Sequence, residues 1–284
     1  MTDNSFVRIL VTSFRARRLA AAAIATFVIA GAALAGAATA TAATTSPAIV
    51  AGAPASASGY VEYNGLLYLS GVAEGDIYTS LFSYDGTTFT HLAGSPHGIG
   101  NLTVFGGELI ITAVDDILSP PFDYVTFTYD GATFTQIPGG FVSPNGYVEV
   151  GGVLFFVADV GGNWGLWQFD GVSTSAVPGG AVDPRDLSSF DGILYFAGDA
   201  DPTPAEDLRL FAYDPAVPLV DAAVVTNSPA DPGPLVAFDG VAYLSADAAL
   251  FTFDGATTFT PVPLVPAVIP WGLTVFDGKL YFSG

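Results

Sequence analysis

The decapeptide LFSYDGTTFT, Leu81 to Thr90, has the pattern of a β-hairpin, with apolar and polar residues alternating into an Asp-Gly turn. It returns as VTFTYDGATFT (125–135), GLWQFDGVST (165–174), RLFAYDPAVP (209–218) and ALFTFDGATTFT (249–260). A second hairpin precedes each copy: YVEYNGLLYLSG (60–71), LTVFGGELIITA (102–113), YVEVGGVLFFVA (147–158), LSSFDGILYFAG (187–198) and LVAFDGVAYLSA (235–246). LTVFDGKLYFSG (273–284) follows the last. The turn pairs of this second hairpin begin at Asn64, Gly106, Gly151, Asp191, Asp239 and Asp277, spaced by 42, 45, 40, 48 and 38 residues. Asn-Gly, Asp-Gly and Gly-Gly accept positive φ at both central positions. They therefore build the tight turn whose twist matches two antiparallel strands.

Two hairpins per repeat make four short strands, and a repeated four-stranded unit of this length is the signature of a β-propeller blade. The chain is therefore expected to be all-β, with repeats at about 59–100, 101–145, 146–185, 186–233 and 234–271 and half of a sixth at 272–284. Because both ends begin with the same hairpin, the sequence reads as truncated from a ring of six or more blades. After each upstream turn come three apolar residues in a row, such as Leu154-Phe155-Phe156 and Leu194-Tyr195-Phe196, as a strand covered on both faces requires. In the downstream hairpin Phe82, Phe127, Trp167, Phe211 and Phe251 form one aromatic column. Tyr84, Tyr129, Phe169, Tyr213 and Phe253 form another, and both read as packing residues. A β-solenoid would have shorter coils without paired tight turns, and a sandwich would not need such regular self-similarity.

The N-terminus has the layout of a secretory signal peptide over residues 1–43: a basic segment ending at Arg17-Arg18, the apolar run LAAAAIATFVIAGAALAG, and A-x-A triplets before Ala43. This helical leader is followed by TTSPAIVAGAPASAS (44–58), which reads as a flexible linker. The uncharged run from Gly255 to Phe276 has the length of a membrane span, but Pro261, Pro263, Pro266 and Pro270 exclude a helix, so it reads as strand and loop. Beyond the leader, three basic residues, Arg185, Arg209 and Lys279, stand against 26 acidic ones, a net charge of −23. Such a field repels phosphate, which excludes nucleic acid and anionic membranes as partners. With no cysteine, an exported chain must draw its stability from a large β core.

The segments LTVFDGKLYFSG, LFFVADVGGNWGLWQFDGV and SLFSYDGTTF together resemble the secreted bacterial repeat called ELWxxDGT, or hyalin-like. The similarity runs over about residues 59–284, and Leu166-Trp167-Gln168-Phe169-Asp170-Gly171 is the nearest copy. In place of the motif's Glu stand Ser80, Gly165, Arg209 and Ala249, Trp is usually Phe, and Asp214-Pro215 breaks the turn. The resemblance implies an extracellular propeller with a binding role. Ser83 to Phe89 also nearly spells the Asp box of sialidases, but one residue between Asp and Gly is missing and too few arginines remain to clamp a carboxylate substrate.

No P-loop, G-x-S-x-G or Ser/His/Asp order is present, and the two histidines, His91 and His97, lack a cysteine partner for a metal site. Carboxylates do recur beyond the second strand of the repeats: Asp115, Asp116, Asp159, Asp199, Asp201 and Asp247. Equivalent positions in a propeller share one face, and carboxylates with neighbouring carbonyls suit Ca²⁺. Against this, Asp favours loop starts for its bonds to nearby N–H groups, and no copy carries a full D-x-D-x-D-G loop. Trp164 and Trp271 fall outside the aromatic columns and are candidates for stacking on sugars. The expectation is a secreted or cell-surface binding module for a protein or glycan, with Ca²⁺ as a supporting ion and no assigned catalytic residue. The alternatives are a propeller enzyme that cleaves polysaccharide with paired carboxylates, and a purely structural surface repeat.

Overall fold

The structure, a computed structural model, describes residues 52–114, 123–179, 181–200, 208–217, 220–264 and 268–284. The expected leader, residues 44–51 of the expected linker, and Asp115, Asp116 and Asp201 lie outside the described residues. Among the described residues there are strands and turns and no helix that could cross a membrane.

The first sheet holds β1 (Ala55–Tyr63), β2 (Leu66–Val72), β3 (Thr79–Tyr84) and β4 (Phe89–His91). The second holds β5 (His97–Phe105), β6 (Glu108–Val114), β7 (Tyr124–Tyr129) and β8 (Phe134–Gln136), and the third β9 (Val142–Val150), β10 (Val153–Asp159), β11 (Trp164–Phe169) and β12 (Thr174–Ala176). The fourth holds β13 (Val182–Phe190), β14 (Ile193–Asp199), β15 (Leu208–Tyr213) and β16 (Ala223–Val224), and the fifth β17 (Val236–Phe238), β18 (Val241–Ala246), β19 (Ala249–Phe253) and β20 (Phe259–Val262). A two-stranded sheet of β21 (Trp271–Phe276) and β22 (Lys279–Ser283) follows. Each sheet is an antiparallel meander in sequence order, as a blade requires.

The strands begin earlier than the repeats suggested. Ala55 pairs with Val72, so the last residues of the expected linker are strand. A Cβ on Gly71 would collide with the ring of Pro54, and one on Gly198 with Ala181, the equivalent residue of the fourth sheet. The glycine closing LYLSG and LYFAG thus makes room for the chain entering its own blade.

All six upstream turns are two-residue turns with positive φ at both positions, for example Asn64 at 49° and Gly65 at 75°, or Asp191 at 53° and Gly192 at 80°. The downstream Asp-Gly turns differ. Four residues, Asp85 to Thr88, separate the paired Tyr84 and Phe89, and only Gly86 has positive φ. Asp85 acts as a cap: its Oδ1 accepts the N–H groups of Thr87 at 2.8 Å and Thr88 at 2.7 Å. Asp130, Asp170 and Asp254 repeat this arrangement. Asp214 still caps Ala216, but Pro215 cannot take the glycine's φ, and the returning strand shrinks to Ala223–Val224.

The second strand alternates between two interfaces. Leu109, Ile111 and Ala113 face the first sheet and Ile110 the third. Leu154, Phe156 and Ala158 face the second sheet, while Phe155 and Val157 face the fourth. Leu194 and Phe196 then face back to the third, and Tyr195 faces forward to the fifth. Four apolar cores therefore fill the spaces between five successive sheets, which is why the run is apolar on both faces. From the second sheet to the fifth, the third-strand aromatics line the same cores: Phe127 and Tyr129, Trp167 and Phe169, Phe211 and Tyr213, Phe251 and Phe253.

A polar tie joins the second and third sheets. The Tyr147 hydroxyl lies 2.8 Å from both Thr112 Oγ1 and Thr126 Oγ1, and Thr112 also donates to the Pro144 carbonyl. Burial pushes the Tyr147 hydroxyl up to about 12, with the two threonines opposing. Successive first strands pack on one another, β1 on β5, β5 on β9, β9 on β13, β13 on β17 and β17 on β21. They form the inner edge of the propeller, with the short fourth strands at its rim.

Phe155→Ala is expected to lower the unfolding free energy by about 3–5 kcal/mol, since it empties the core between two sheets. Tyr147→Phe is expected to cost about 1–3 kcal/mol by leaving two threonine hydroxyls short of a partner. Urea unfolding of the two variants beside the wild type checks both.

Candidate functional site

The meander sends the chain to two different ends of the sheets. At the turn end lie the two-residue turns between first and second strands and the capped loops between third and fourth. At the loop end lie the connections from second to third strands and the crossings from sheet to sheet.

The turn end is fixed by its own hydrogen bonds. The Thr87 hydroxyl and the N–H groups of Thr88 and Thr87 hold the Asp85 carboxyl below the usual carboxylate range. The N–H groups of Thr133 and Ala132 do so for Asp130, those of Ser173 and Val172 for Asp170, and those of Thr258 and Ala256 lead for Asp254. Tyrosine hydroxyls also close these loops: Tyr84 Oη donates to Gly86 O at 2.7 Å and Tyr129 Oη to Gly131 O at 2.8 Å. In the fifth sheet the corresponding residue, Phe253, has no hydroxyl. There Tyr195 of the fourth sheet reaches across and donates to Gly255 O at 2.8 Å. The repeated Asp is therefore a structural cap.

The loop end carries the candidate residues. Asp159 and Asp199 occupy the same place, the last position of the second strand, in adjacent sheets. Asp159 Oδ1 is shut off from solvent and has no hydrogen-bond partner. Asp247 departs from the expectation of an equivalent loop: it forms a two-residue turn with Ala248, at φ of 50° and 57°, between the paired Ala246 and Ala249. Asp tolerates that conformation, and the connection is too short to project a carboxylate as a ligand loop does. Among the described residues no three His, Asp or Glu side chains come together as a metal would need. Trp164, the first residue of β11, lies opposite Asp159 and is 42% exposed. Trp271, the first residue of β21, is 64% exposed. Both indoles stand at the loop end, while Trp167, in the column, packs edge-on against Phe141 at 4.9 Å.

The inner edge holds residues that reading by repeats passed over. Most first strands are bulged, and pairing identifies one equivalent ladder position in all six sheets. Ser58 pairs with Ser70, Asn101 with Thr112, Asn145 with Val157, Arg185 with Ala197 and Trp271 with Ser283, and the Gly233 N–H donates to Ser245 O. Ser58, Asn101, Asn145, Arg185 and Trp271 are exposed. The second sheet lacks one bulge, so Asn101 and Asn145 fall out of step when the repeats are aligned on their turns. The bulge positions themselves are small or neutral in the first and third sheets, Ser56 and Gly59, Ser143 and Gly146. In the fourth they are Asp183 at φ 48° and Asp186 at φ 56°. Loss of solvation raises the Asp186 carboxyl above its usual range, with Arg185 opposing, although the residue is exposed. A signal existed in the sequence: Asp183-Pro184-Arg185-Asp186 is charged where the first and third copies carry Ser, Asn and Gly, while the fifth keeps one acid, Asp231 at φ 49°, at the place of Asp183.

No protein-family model matches this sequence, and no curated protein matches it significantly. Among solved structures the chain is similar to the β-propeller domain of the Trilobed protease from Pyrococcus furiosus, with 12% identity and a TM-score of 0.49 over 74% of this chain and 70% of that one. It is also similar to a puromycin-hydrolyzing peptidase of Mycobacterium tuberculosis, at 17% and 0.46 over 78% of this chain and 41% of the other. A thermostable family-43 glycoside hydrolase matches at 11% and 0.35, over 79% and 91%. No residue role passes from any of them to this chain.

The capped carboxylates set an acid limit on stability. Their folded values lie below the ordinary value of 3.8, so their contribution is present above that pH and is lost as the pH falls through the folded values. Thermal melts are expected to hold level down to about pH 5 and to fall progressively below it. Asp254→Asn is expected to flatten that acid slope.

Proposed function

We propose that this chain is an exported binding module that holds a neutral glycan at the loop end of a β-propeller. The observation that carries this reading is the pair of exposed indoles, Trp164 and Trp271, at one end of a protein whose aromatic columns are otherwise packed. An indole face offers the apolar, rigid surface on which the C–H face of a sugar stacks, with polar groups at its edge to take the hydroxyls. Asp159 opposite Trp164 supplies such a group. The net charge of −23 beyond the leader disfavours anionic ligands. The basic segment, apolar run and A-x-A triplets of residues 1–43 support export, where polysaccharide is met.

A second reading, a polysaccharide-cleaving enzyme on the same scaffold, is favoured by one observation. Asp186 is a solvent-accessible carboxyl held above its usual range, as a general acid must be, and a second carboxylate, Asp183, lies three residues away on the same inner strand.

Affinity electrophoresis through gels containing β-glucan, xylan, mannan or arabinan tests the first reading. The wild type is expected to be retarded by at least one, and Trp164→Ala and Trp271→Ala to weaken retardation about tenfold with unchanged melting. Free migration of the wild type in every gel sinks it. Release of reducing ends from the same polymers, lost in Asp186→Asn, decides for the enzyme.

A further inference from the structure

Tyr124 and Trp164 hold one register position in neighbouring sheets. Each is the first residue of its sheet's third strand and lies opposite the last residue of the second, Tyr124 opposite Val114 and Trp164 opposite Asp159. Tyr124 is 37% exposed and Trp164 42%, and neither belongs to a core between sheets. Alternation along the strand puts Tyr124 on the face of Thr126, whose Oγ1 lies 2.8 Å from the Tyr147 hydroxyl of the third sheet. It puts Trp164 on the face of Leu166, which belongs to the core between the third and fourth sheets. One ring therefore stands over each seam of the third sheet, with the thickness of one blade between them.

We infer that the two rings form a track that seats a bent run of neutral sugar units across the loop end of the third sheet. The inference rests on the glycan reading above and adds to it the course and shape of the ligand. Face-packed sheets lie roughly 10 Å apart, a distance that two units of a sugar chain cover, so the rings meet alternate units. Between them the ligand passes over the connection from β10 to β11, where Gly161, Gly162 and Asn163 are exposed. A Cβ on either glycine would meet nothing within 4 Å, so the crossing is open and its backbone groups are there to take hydroxyls. The loop is held by its own bonds, Val160 N–H to Asn163 O at 3.0 Å and Asn163 Nδ2 to Gly161 O at 3.3 Å. The floor next to Tyr124 is equally fixed, since Thr126 and Thr112 are buried and bonded to Tyr147. The same register holds Thr79 in the first sheet and Leu208 in the fourth, so the track ends after two rings. Successive sheets of a propeller are turned about a common axis, so a chain lying on both rings changes direction between them. Laminari- and malto-oligosaccharides bend in this way, and the straight ribbon of a cello-oligosaccharide does not.

The test titrates the full chain by calorimetry with the disaccharide and the tetrasaccharide of the laminari, malto and cello series. In at least one bent series the tetrasaccharide is expected to bind about tenfold tighter than the disaccharide, because it reaches both rings. Tyr124→Ala is expected to abolish that gain and leave the disaccharide unchanged, Tyr124→Phe to keep the gain, and Trp164→Ala to weaken both ligands. Circular dichroism and melting check that each variant is folded. A gain that survives Tyr124→Ala overturns the track, as does a larger gain in the cello series or the absence of binding in both bent series. In any of these cases, polysaccharide retardation that depends on Trp164 and Trp271 leaves the broader glycan reading standing, and free migration in every gel sinks both.

Discussion

One aromatic contact recurs from blade to blade, and the arrangement of the sheets depends on it. The middle residue of a second strand meets, edge to face, the ring that precedes the capped Asp of the next sheet. Tyr68 meets Tyr129 at 6.1 Å, Phe155 meets Tyr213 at 5.8 Å, and Tyr195 meets Phe253 at 5.5 Å, with interplanar angles of 62°, 69° and 86°. Such contacts add directional preference to apolar burial, so they fix the angle between neighbouring blades as well as holding them together. The ring that receives the contact is itself stacked across its hairpin, Tyr129 on Phe134 at 4.4 Å and Phe253 on Phe259 at 4.5 Å. The second and fifth blades thus present a rigid receiving surface, and the preceding blade inserts one side chain into it.

The hairpin turns matter because they hold that surface in register. A slip of one residue would send every apolar side chain of a second strand to the wrong interface. Two positive φ values at each upstream turn and a carboxylate cap at each downstream loop remove that freedom. Where one device is weakened, another appears: Phe253 cannot close its loop with a hydroxyl, and the forward-facing Tyr195 does so from the neighbouring sheet. The same residue that packs the interface also caps the turn.

Much of this was legible in the sequence because it follows from local chemistry. Asn64-Gly65 and Asp191-Gly192 declare their turns, and Leu154-Phe155-Phe156 declares a strand buried on two sides. What was not legible depended on pairing between strands. The downstream Asp85-Gly86 looks like the upstream turns but opens into a capped loop, because the count of residues between Tyr84 and Phe89 differs. Asp247 looks like Asp159 and Asp199 but turns a corner, because the fifth sheet closes that connection in two residues. Asn101 and Asn145 sit one position apart in the repeat and side by side in the fold, because a bulge in β9 has no counterpart in β5.

Bulges also explain where a protein built this way can carry chemistry. A bulge with a left-handed residue frees one side chain from the alternation that commits all others to a core. Glycine takes that conformation without strain, and Gly59 and Gly146 stand there in the first and third sheets. In the fourth sheet Asp186 stands there, and Asp183 at the bulge before it. Non-glycine residues in that region cost on the order of 1 kcal/mol each and persist only where the surroundings over-determine the backbone. Here the surroundings do so: Pro184 and Leu187, between and beside them, are buried, and Leu187 belongs to the core between the third and fourth sheets. The packing that fixes the angle between blades is therefore what lets β13 hold two carboxylates and a guanidinium at the inner edge, in a conformation that an isolated strand would abandon.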